Sequence, residues 1–331
     1  MKNKVLFFVL GSNSFTGSNF VNYLINLNQE VVCISRSKES QQHFLAYPKK
    51  SKKKIFYNFD INLDHKKILR LIKKKRPKYI INFSSQSMVG QSWFRPIDWY
   101  TTNVLGNIKL VESIKNFKFI KRYLNVSTPE VYGSTGKNIK ESINYKPSTP
   151  YAISRACFDN HLFAIYKQFK FPVIFTRASN VYGPSQRLYR IIPAAIRSAT
   201  KNDKLNLDGG GKSERNFIFV QDVVEATFKI LMKGKIGNIY HISSNEIISI
   251  KNLVRKIYKI NNNKNFNKNI KYSKDRVGKD KIYYLNSLKL KKDLNWIPKI
   301  NLETGIKKTI DWFKKNEKKF KKKDLEYKHK K

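Results

Sequence analysis

The segment GSNSFTGSNF, residues 11–20, has the residue types of a phosphate-binding turn. Gly11 would let the chain turn tightly after an apolar run, and Gly17 would let helix and strand approach closely. Ser14 stands where such turns usually have a glycine, and a helix beginning here would offer N–H groups to a pyrophosphate. A tight structural turn would have the same pattern. We predict that the turn binds a dinucleotide through Gly11, Ser14, Phe15, Thr16 and Gly17.

The residues after the second and third apolar runs indicate how the adenosine half would be bound. An NAD enzyme usually carries an acidic residue about 20 residues after the turn, for the ribose hydroxyls. This chain has Ser35 and Arg36 there, and an arginine suits a 2′-phosphate unless it faces solvent. Asp60 and Ile61 could hold the adenine, through a carboxylate acceptor and an apolar cover. The cofactor is therefore predicted to be NAD(P)+, leaning toward NADP.

Short apolar runs alternate with helix-like stretches and must position these residues. The strand-like runs are residues 4–10, 30–35, 54–60, 78–84, 121–127 and 171–177. The helix-like stretches are residues 17–28, 65–75, 102–117 and 151–168. This alternation predicts an α/β fold with a doubly wound (Rossmann) parallel sheet and right-handed crossovers.

The pattern loosens after residue 180, which suggests a second lobe. We predict that residues 1–180 form a dinucleotide-binding Rossmann domain, completed by roughly 216–248. Residues 181–215 and 249–315 would form a smaller mixed α/β C-terminal substrate domain, and 316–331 a frayed basic tail.

Composition limits the classes of function. The chain has 331 residues, of which 40% are hydrophobic, and a formal net charge of +44. Such a charge raises the possibility of nucleic-acid binding, but the lysines are scattered, so we expect no specific nucleic-acid partner. The basic field would still attract an anionic small substrate. No apolar run approaches the ~20 residues that span a bilayer, no signal pattern opens the chain, and no metal-ligand spacing occurs; we expect a cytoplasmic, metal-free protein.

Three further stretches carry a resemblance to a known family. They are INFSSQSMVGQSW (81–93), NVSTPEVYGS (125–134) and PYAISRACFDN (150–160). With the glycine turn, they resemble the extended short-chain dehydrogenase/reductases, NAD(P)-dependent epimerase/dehydratase family, and more narrowly the nucleotide-sugar 4,6-dehydratases. Segments 176–193, 208–226 and 275–298 look like substrate-domain segments of dTDP-glucose 4,6-dehydratases.

The resemblance implies catalytic roles for four residues. Tyr151 would take the proton of the sugar 4-hydroxyl while C4 is oxidised, and Thr128 would hydrogen-bond the same hydroxyl. Glu130 would take the C5 proton, which lies alpha to the new carbonyl, before the C6 hydroxyl leaves and hydride returns to C6. Arg155 stands where the family has a lysine. It shares a helix face with Tyr151, and its permanent charge would lower the phenol pKa from about 10.

Residue 129 is a second departure and keeps the exact reaction open. The dTDP-glucose enzymes have an aspartate where this chain has Pro129. The similar GDP-mannose 4,6-dehydratases have a serine there, UDP-glucuronate decarboxylases share the Thr-x-Glu pattern, and 4-epimerases generally lack the glutamate. Our main hypothesis is a dTDP-glucose 4,6-dehydratase-like enzyme. The alternatives are GDP-mannose 4,6-dehydratase, UDP-glucuronate decarboxylase, sugar-nucleotide epimerase, and a catalytically inactive reductase-like binding protein.

The same resemblance implies a nucleotide-diphosphate sugar as partner and a pairing of subunits. The residues that match substrate-binding stretches are Gln86, Ser87, Asn180, Arg190, Arg215 and Arg276. Any of these arginines could instead be a plain surface residue in so basic a chain. Helices 102–117 and 151–168 would pair with their copies in a homodimer.

Overall fold

The computed structural model describes residues 6–134, 136–275 and 283–330. Its strands are β1 Leu6–Leu10, β2 Glu30–Ile34, β3 Lys54–Tyr57, β4 Tyr79–Asn82, β5 Arg122–Val126, β6 Gly136–Ile139, β7 Val173–Ala178, β8 Asn180–Tyr182, β9 Leu205–Asp208, β10 Glu214–Phe219, β11 Ile239–Ile242, β12 Ile247–Ser249, β13 Ile270–Ser273 and β14 Tyr283–Leu285. Its α-helices are α1 Phe15–Asn26, α2 His65–Lys75, α3 Pro96–Tyr100, α4 Asn107–Ile114, α5 Pro150–Phe169, α6 Ile191–Lys201, α7 Val220–Lys233, α8 Ile250–Ile260, α9 Phe266–Asn269, α10 Leu288–Leu294 and α11 Leu302–Asn316.

Seven parallel strands form the central sheet, in the order β11-β7-β5-β4-β1-β2-β3. The chain order reverses between β1 and β4, which places a binding crevice at the carboxyl ends of these two strands. The doubly wound parallel sheet predicted from the sequence is confirmed.

The central strands are largely apolar because helices cover both faces of the sheet. Phe7 and Val9 of β1 pack into one core with α1, α7 and α10. Phe8 and Leu10 point to the other face and pack with α2, α4 and α5. Successive side chains of a strand alternate between faces, so a run without polar interruption fits a strand buried on both sides.

The second lobe is smaller and mixed. The sheet β12-β10-β8 and the pair β13-β9 pack with α6, α8 and α11 around a separate apolar core. Since β11, at residues 239–242, returns to the central sheet, the chain passes between the lobes more than once. Among the described helices, none combines the length and apolar character needed to cross a membrane.

Two predicted elements differ in the structure. The helix predicted over residues 102–117 is part of a longer helical run, which begins as α3, continues through a π-helical turn at Thr101–Gly106, and ends as α4. Asn107 donates its side-chain amide to the Thr102 carbonyl oxygen five residues back (2.7 Å), which fits the wider turn. The expectation of a frayed tail is wrong for residues 317–330, because the apolar residues among the lysines pack: Phe320 stacks on Phe44 with ring centroids 5.7 Å apart.

Candidate active site

The glycine turn joins β1 to α1 with no room for larger residues. Gly11 has φ of +74°, and a Cβ there would lie 2.6 Å from the Phe83 carbonyl carbon. A Cβ on Gly17 would lie 2.5 Å from the Gly11 oxygen. The backbone therefore forms a cradle at the α1 N-terminus, which suits a pyrophosphate.

Ser14 has a structural role in this turn. Its hydroxyl accepts a hydrogen bond from the Gly17 N–H (3.1 Å), as the N-cap of α1. Its own N–H donates to the Gly11 oxygen (2.9 Å). Serine is a favoured N-cap residue, which explains its presence where many turns have glycine. The side chain is exposed and lines the cleft, so the hydroxyl hydrogen is the group that could reach a phosphate.

The segment after β2 is tied to the turn. The Asn13 backbone N–H donates to the Ser35 hydroxyl (3.2 Å), and the Asn13 side-chain amide donates to the Ser37 carbonyl (2.8 Å). Arg36 donates to the side-chain oxygen of Gln86 (3.3 Å). Ser35 and Arg36, which are predicted to face the ribose, thus lie beside the glycine turn.

Asp60 and Ile61 follow β3 at the carboxyl edge of the sheet. The Asp60 carboxylate accepts from the Asn62 N–H (2.7 Å) through one of its two oxygens. Ile61 is buried and belongs to the core below the sheet. Neither residue lines the main cleft.

A cleft of about 790 Å³ opens between the two lobes at the switch point. The predicted site residues that line it are Ser14, Phe15, Thr16, Ser87, Thr128, Glu130, Tyr151, Arg155, Asn180, Arg190 and Arg215. Gln86 is buried and does not line the cleft; its side chain contacts Arg36 and the C-terminal segment instead. Arg276 lies outside the described residues.

Thr128, Glu130 and Tyr151 meet at the floor of the cleft. Thr128 follows β5, and its hydroxyl accepts from the Glu130 N–H (3.4 Å) at the start of a single helical turn. Tyr151 lies in the first turn of α5, which Thr149 caps by accepting from the Ala152 N–H (3.1 Å). The end of β5 and the start of α5 therefore place a hydroxyl, a carboxylate and a phenol together.

The Tyr151 phenol is harder to ionise than the sequence suggests. Burial, followed by the nearby Glu130 carboxylate, raises its pKa to about 12, while Arg155 and the Thr128 hydrogen bond lower it. Arg155 therefore acts in the predicted direction but does not offset burial. Its guanidinium is buried and donates to the Val126 carbonyl oxygen at the end of β5.

Asp159 and Arg177 support the site and were missed in the sequence. Asp159 lies one turn after Arg155 on α5 and accepts from Asn125 (2.9 Å), Ser127 (2.5 Å) and Arg177 (2.9 Å). Arg177 and Asp159 both have fully buried side chains. The pair fixes α5 to β5 and β7, and two signals could have revealed it: the four-residue spacing 151–155–159, and a lone arginine in the apolar run FPVIFTR.

The variant Asp159→Asn should lower the free energy of unfolding by about 3–5 kcal/mol, because it leaves the buried Arg177 charge without its counter-ion. Urea denaturation followed by circular dichroism measures this. The control is Asp203→Asn, which breaks the partly exposed Arg197–Asp203 pair (2.8 Å) and should cost at most about 1 kcal/mol. Equal losses in the two variants would contradict the structural role of Asp159.

Basic side chains also line the cleft. Arg190 precedes α6 and Arg215 lies on β10, and both face the cleft with Asn180. Arg187, which sequence reasoning did not select, also lines it and donates to the Ser40 hydroxyl (2.8 Å). Arginines suit a diphosphate. In the described ranges, no group of His, Cys, Asp and Glu side chains could hold a metal ion.

Comparisons with known proteins identify the family of this chain. Residues 8–309 match the family described as GDP-mannose 4,6 dehydratase. The human dTDP-D-glucose 4,6-dehydratase is 36% identical over 251 residues, covering 74% of this chain and 71% of that protein. The dTDP-glucose 4,6-dehydratase of Xanthomonas campestris is 31% identical over 327 residues, covering 93% of each.

A solved structure extends the likeness to three dimensions. The dTDP-glucose 4,6-dehydratase of Bacillus anthracis, in complex with NAD, has a TM-score of 0.87 and 30% identity, covering 97% of this chain and 100% of that one. The residues that match the family, 8–309, include both lobes and the cleft between them. This chain therefore belongs to the GDP-mannose 4,6-dehydratase family.

Proposed function

We propose that this chain is a nucleotide-sugar 4,6-dehydratase that works with NAD(P)+ and resembles the dTDP-glucose enzymes. The observation that carries the proposal is a carboxylate, Glu130, beside the phenol of Tyr151 and the hydroxyl of Thr128 in one cleft. Oxidation alone needs a base for the hydroxyl proton. A second base beside it fits removal of a proton alpha to a carbonyl.

The glycine cradle fits a dinucleotide, because a Cβ at Gly11 or Gly17 would collide with the turn. NAD(P)+ bound there would supply the acceptor and later the donor of hydride. The relative from Bacillus anthracis was crystallised with NAD. We propose a preference for NADP in this chain, since Arg36 stands where an NAD enzyme usually has a carboxylate.

Different side chains of the site carry out the separate proton transfers. Tyr151 accepts the proton of the 4-hydroxyl, and Thr128 orients that hydroxyl by a hydrogen bond. Glu130 accepts the C5 proton as the C6–O bond breaks, and returns a proton to C5 when C6 is reduced. Since proline has no acidic hydrogen, the departing hydroxide takes its proton from a group other than Pro129.

The substrate panel tests the reaction. Purified protein is incubated separately with dTDP-glucose, GDP-mannose and UDP-glucuronate, and products are analysed by mass spectrometry. We expect loss of one water, with dTDP-glucose the best substrate. Loss of carbon dioxide from UDP-glucuronate would favour decarboxylation, and a product of unchanged mass would favour epimerisation. No turnover of any of these substrates, together with salt-sensitive RNA binding, would refute the proposal that this chain is an enzyme.

We propose that the lobes divide the binding work. Residues 1–180 with 216–248 would hold the dinucleotide, and 181–215 with 249–315 the nucleotide sugar. The return of β11 to the central sheet supports the first assignment. The exposed thiol of Cys157 is free, which fits a reducing compartment such as the cytoplasm.

We propose a homodimer through the surface of α4 and α5. Exposed apolar side chains on and beside these helices support it: Trp93, Phe94, Ile97, Leu105 and Ile153. The Asn103 side-chain amide donates to the Ser154 hydroxyl (3.0 Å), which holds the two segments together as one face. Such a face is typical of a protein interface.

The double variant Leu105→Asp, Ile153→Asp should raise the dimer dissociation constant at least about thirtyfold. The dimer would bury the two new carboxylates of each subunit opposite those of the other subunit. Light scattering after size exclusion measures it. Ile297→Asp, at a residue 57% exposed between α10 and α11, is the control and should leave the dimer intact. A wild-type monomer, or a dimer that survives the double variant, would contradict this interface.

A further inference from the structure

The last residues of the chain cross from the substrate lobe to the cofactor side of the molecule. We call residues 320–330 the C-terminal strap. It leaves the substrate lobe at Phe320, which packs among Phe44, Trp312 and Phe313. Further on, the Tyr327 ring meets Tyr189 edge to face, with centroids 5.6 Å apart. The strap thus runs along one side of the cleft.

The end of the strap is held by a polar and aromatic clasp. His329 stacks on Trp99, with ring centroids 5.0 Å apart and planes 8° apart. Its Nε2 lies 2.7 Å from the Asp98 carboxylate, and its Nδ1 lies 3.2 Å from the Tyr327 hydroxyl. These contacts fix the backbone immediately before Lys330.

Lys330 lies at the ribose end of the predicted cofactor site. Its carbonyl accepts from the Gln86 side-chain amide (2.7 Å), and its ammonium donates to the Ser37 hydroxyl (3.0 Å). The oxygen of the same Gln86 amide accepts from Arg36 (3.3 Å). Gln86 therefore connects the strap to the residue that is expected to face the ribose 2′ position.

This arrangement gathers the groups that a phosphate monoester prefers. An ammonium, a guanidinium and a hydroxyl, from Lys330, Arg36 and Ser37, lie within one hydrogen-bonded cluster. Over the described part of the chain, the Lys330 ammonium contacts the neutral Ser37 hydroxyl and pairs with no carboxylate. A cation held by a neutral group keeps its charge available for an anion.

We propose that the C-terminal strap is part of the cofactor site and that Lys330 determines specificity by favouring a 2′-phosphorylated dinucleotide over NAD. The inference rests on the proposed function and specifies which form of the dinucleotide cofactor binds. The Lys330 ammonium would act with Arg36 on the 2′-phosphate, which NAD lacks. Lys330 should therefore raise the affinity for NADP and leave the affinity for NAD unchanged.

Binding of NADPH and NADH to the full chain tests this, measured by calorimetry at low and high salt. Lys330→Gln should weaken NADPH about tenfold and NADH less than about twofold. The matched control is Lys328→Gln, an exposed lysine of the same strap, which should change neither by more than about twofold. The NADPH advantage should shrink as salt is added, since it is electrostatic.

Several results would overturn the inference. They are equal weakening of both dinucleotides by Lys330→Gln, no change in either, or a wild-type chain that binds NADH at least as tightly as NADPH. A chain that ends at residue 320 and binds NADPH more tightly would show that the strap occupies the cofactor's place. The dehydratase proposal is judged separately, because water loss from a nucleotide sugar can be assayed with either cofactor supplied.

Discussion

The variant Glu130→Gln should lose about 10³–10⁴-fold in the rate of water elimination, because an amide cannot accept the C5 proton. Oxidation at C4 should survive, since Tyr151 and Thr128 remain. The reaction would then stop with reduced nicotinamide, visible by its near-ultraviolet absorbance, and mass spectrometry would find no dehydrated product. Nucleotide-sugar affinity should stay within a few-fold of wild type.

The control for this variant is Glu303→Gln, the same change at an exposed residue of α11. It should keep full activity. A Glu130→Gln protein that eliminates water at the wild-type rate would show that another group takes the C5 proton. One that cannot reduce the nicotinamide would show that Glu130 acts in the oxidation instead.

The variant Tyr151→Phe should lose about 10²–10⁴-fold in C4 oxidation, since the ring remains but the proton acceptor is gone. It should therefore give neither reduced nicotinamide nor dehydrated product, which separates it from Glu130→Gln. Tyr272→Phe, at an exposed tyrosine of β13, is the control and should be fully active. Full activity in Tyr151→Phe would refute the assignment.

The raised pKa of Tyr151 adds a pH dependence with a definite sign. The phenol must be ionised to accept a proton, and its pKa of about 12 in the free chain leaves it mostly protonated near neutrality. In the wild-type protein, kcat/KM should rise with pH, by up to about tenfold per unit where oxidation limits the rate. Tyr151→Phe should have no such slope.

Much of the fold could be predicted because its signals are local. The largely apolar runs indicated strands buried on both faces, and β1, β2, β3, β4, β5 and β7 lie within the predicted runs or extend one residue beyond them. Gly11 and Gly17 indicated a turn without space for side chains, which the geometry bears out. The α2 helix has the predicted bounds, 65–75.

The rest depended on contacts between distant parts of the chain. Asp98 and His329 are 231 residues apart in sequence, so nothing local marked the strap as ordered. The rise in the Tyr151 pKa follows from burial in the cleft, which spacing along α5 does not reveal. The roles of the site residues, that of Arg276 included, stay predictions.

The central claim is that this chain oxidises C4 and reduces C6 of the same sugar while Glu130 exchanges the C5 proton. The most direct test uses dTDP-glucose with deuterium at C4, and locates the label in the product by NMR. We predict a product that has lost one water and carries the deuterium at C6, and the same reaction run in D2O should place solvent deuterium at C5. Deuterium retained at C4, lost to solvent, or found in a product that kept its water would contradict the account.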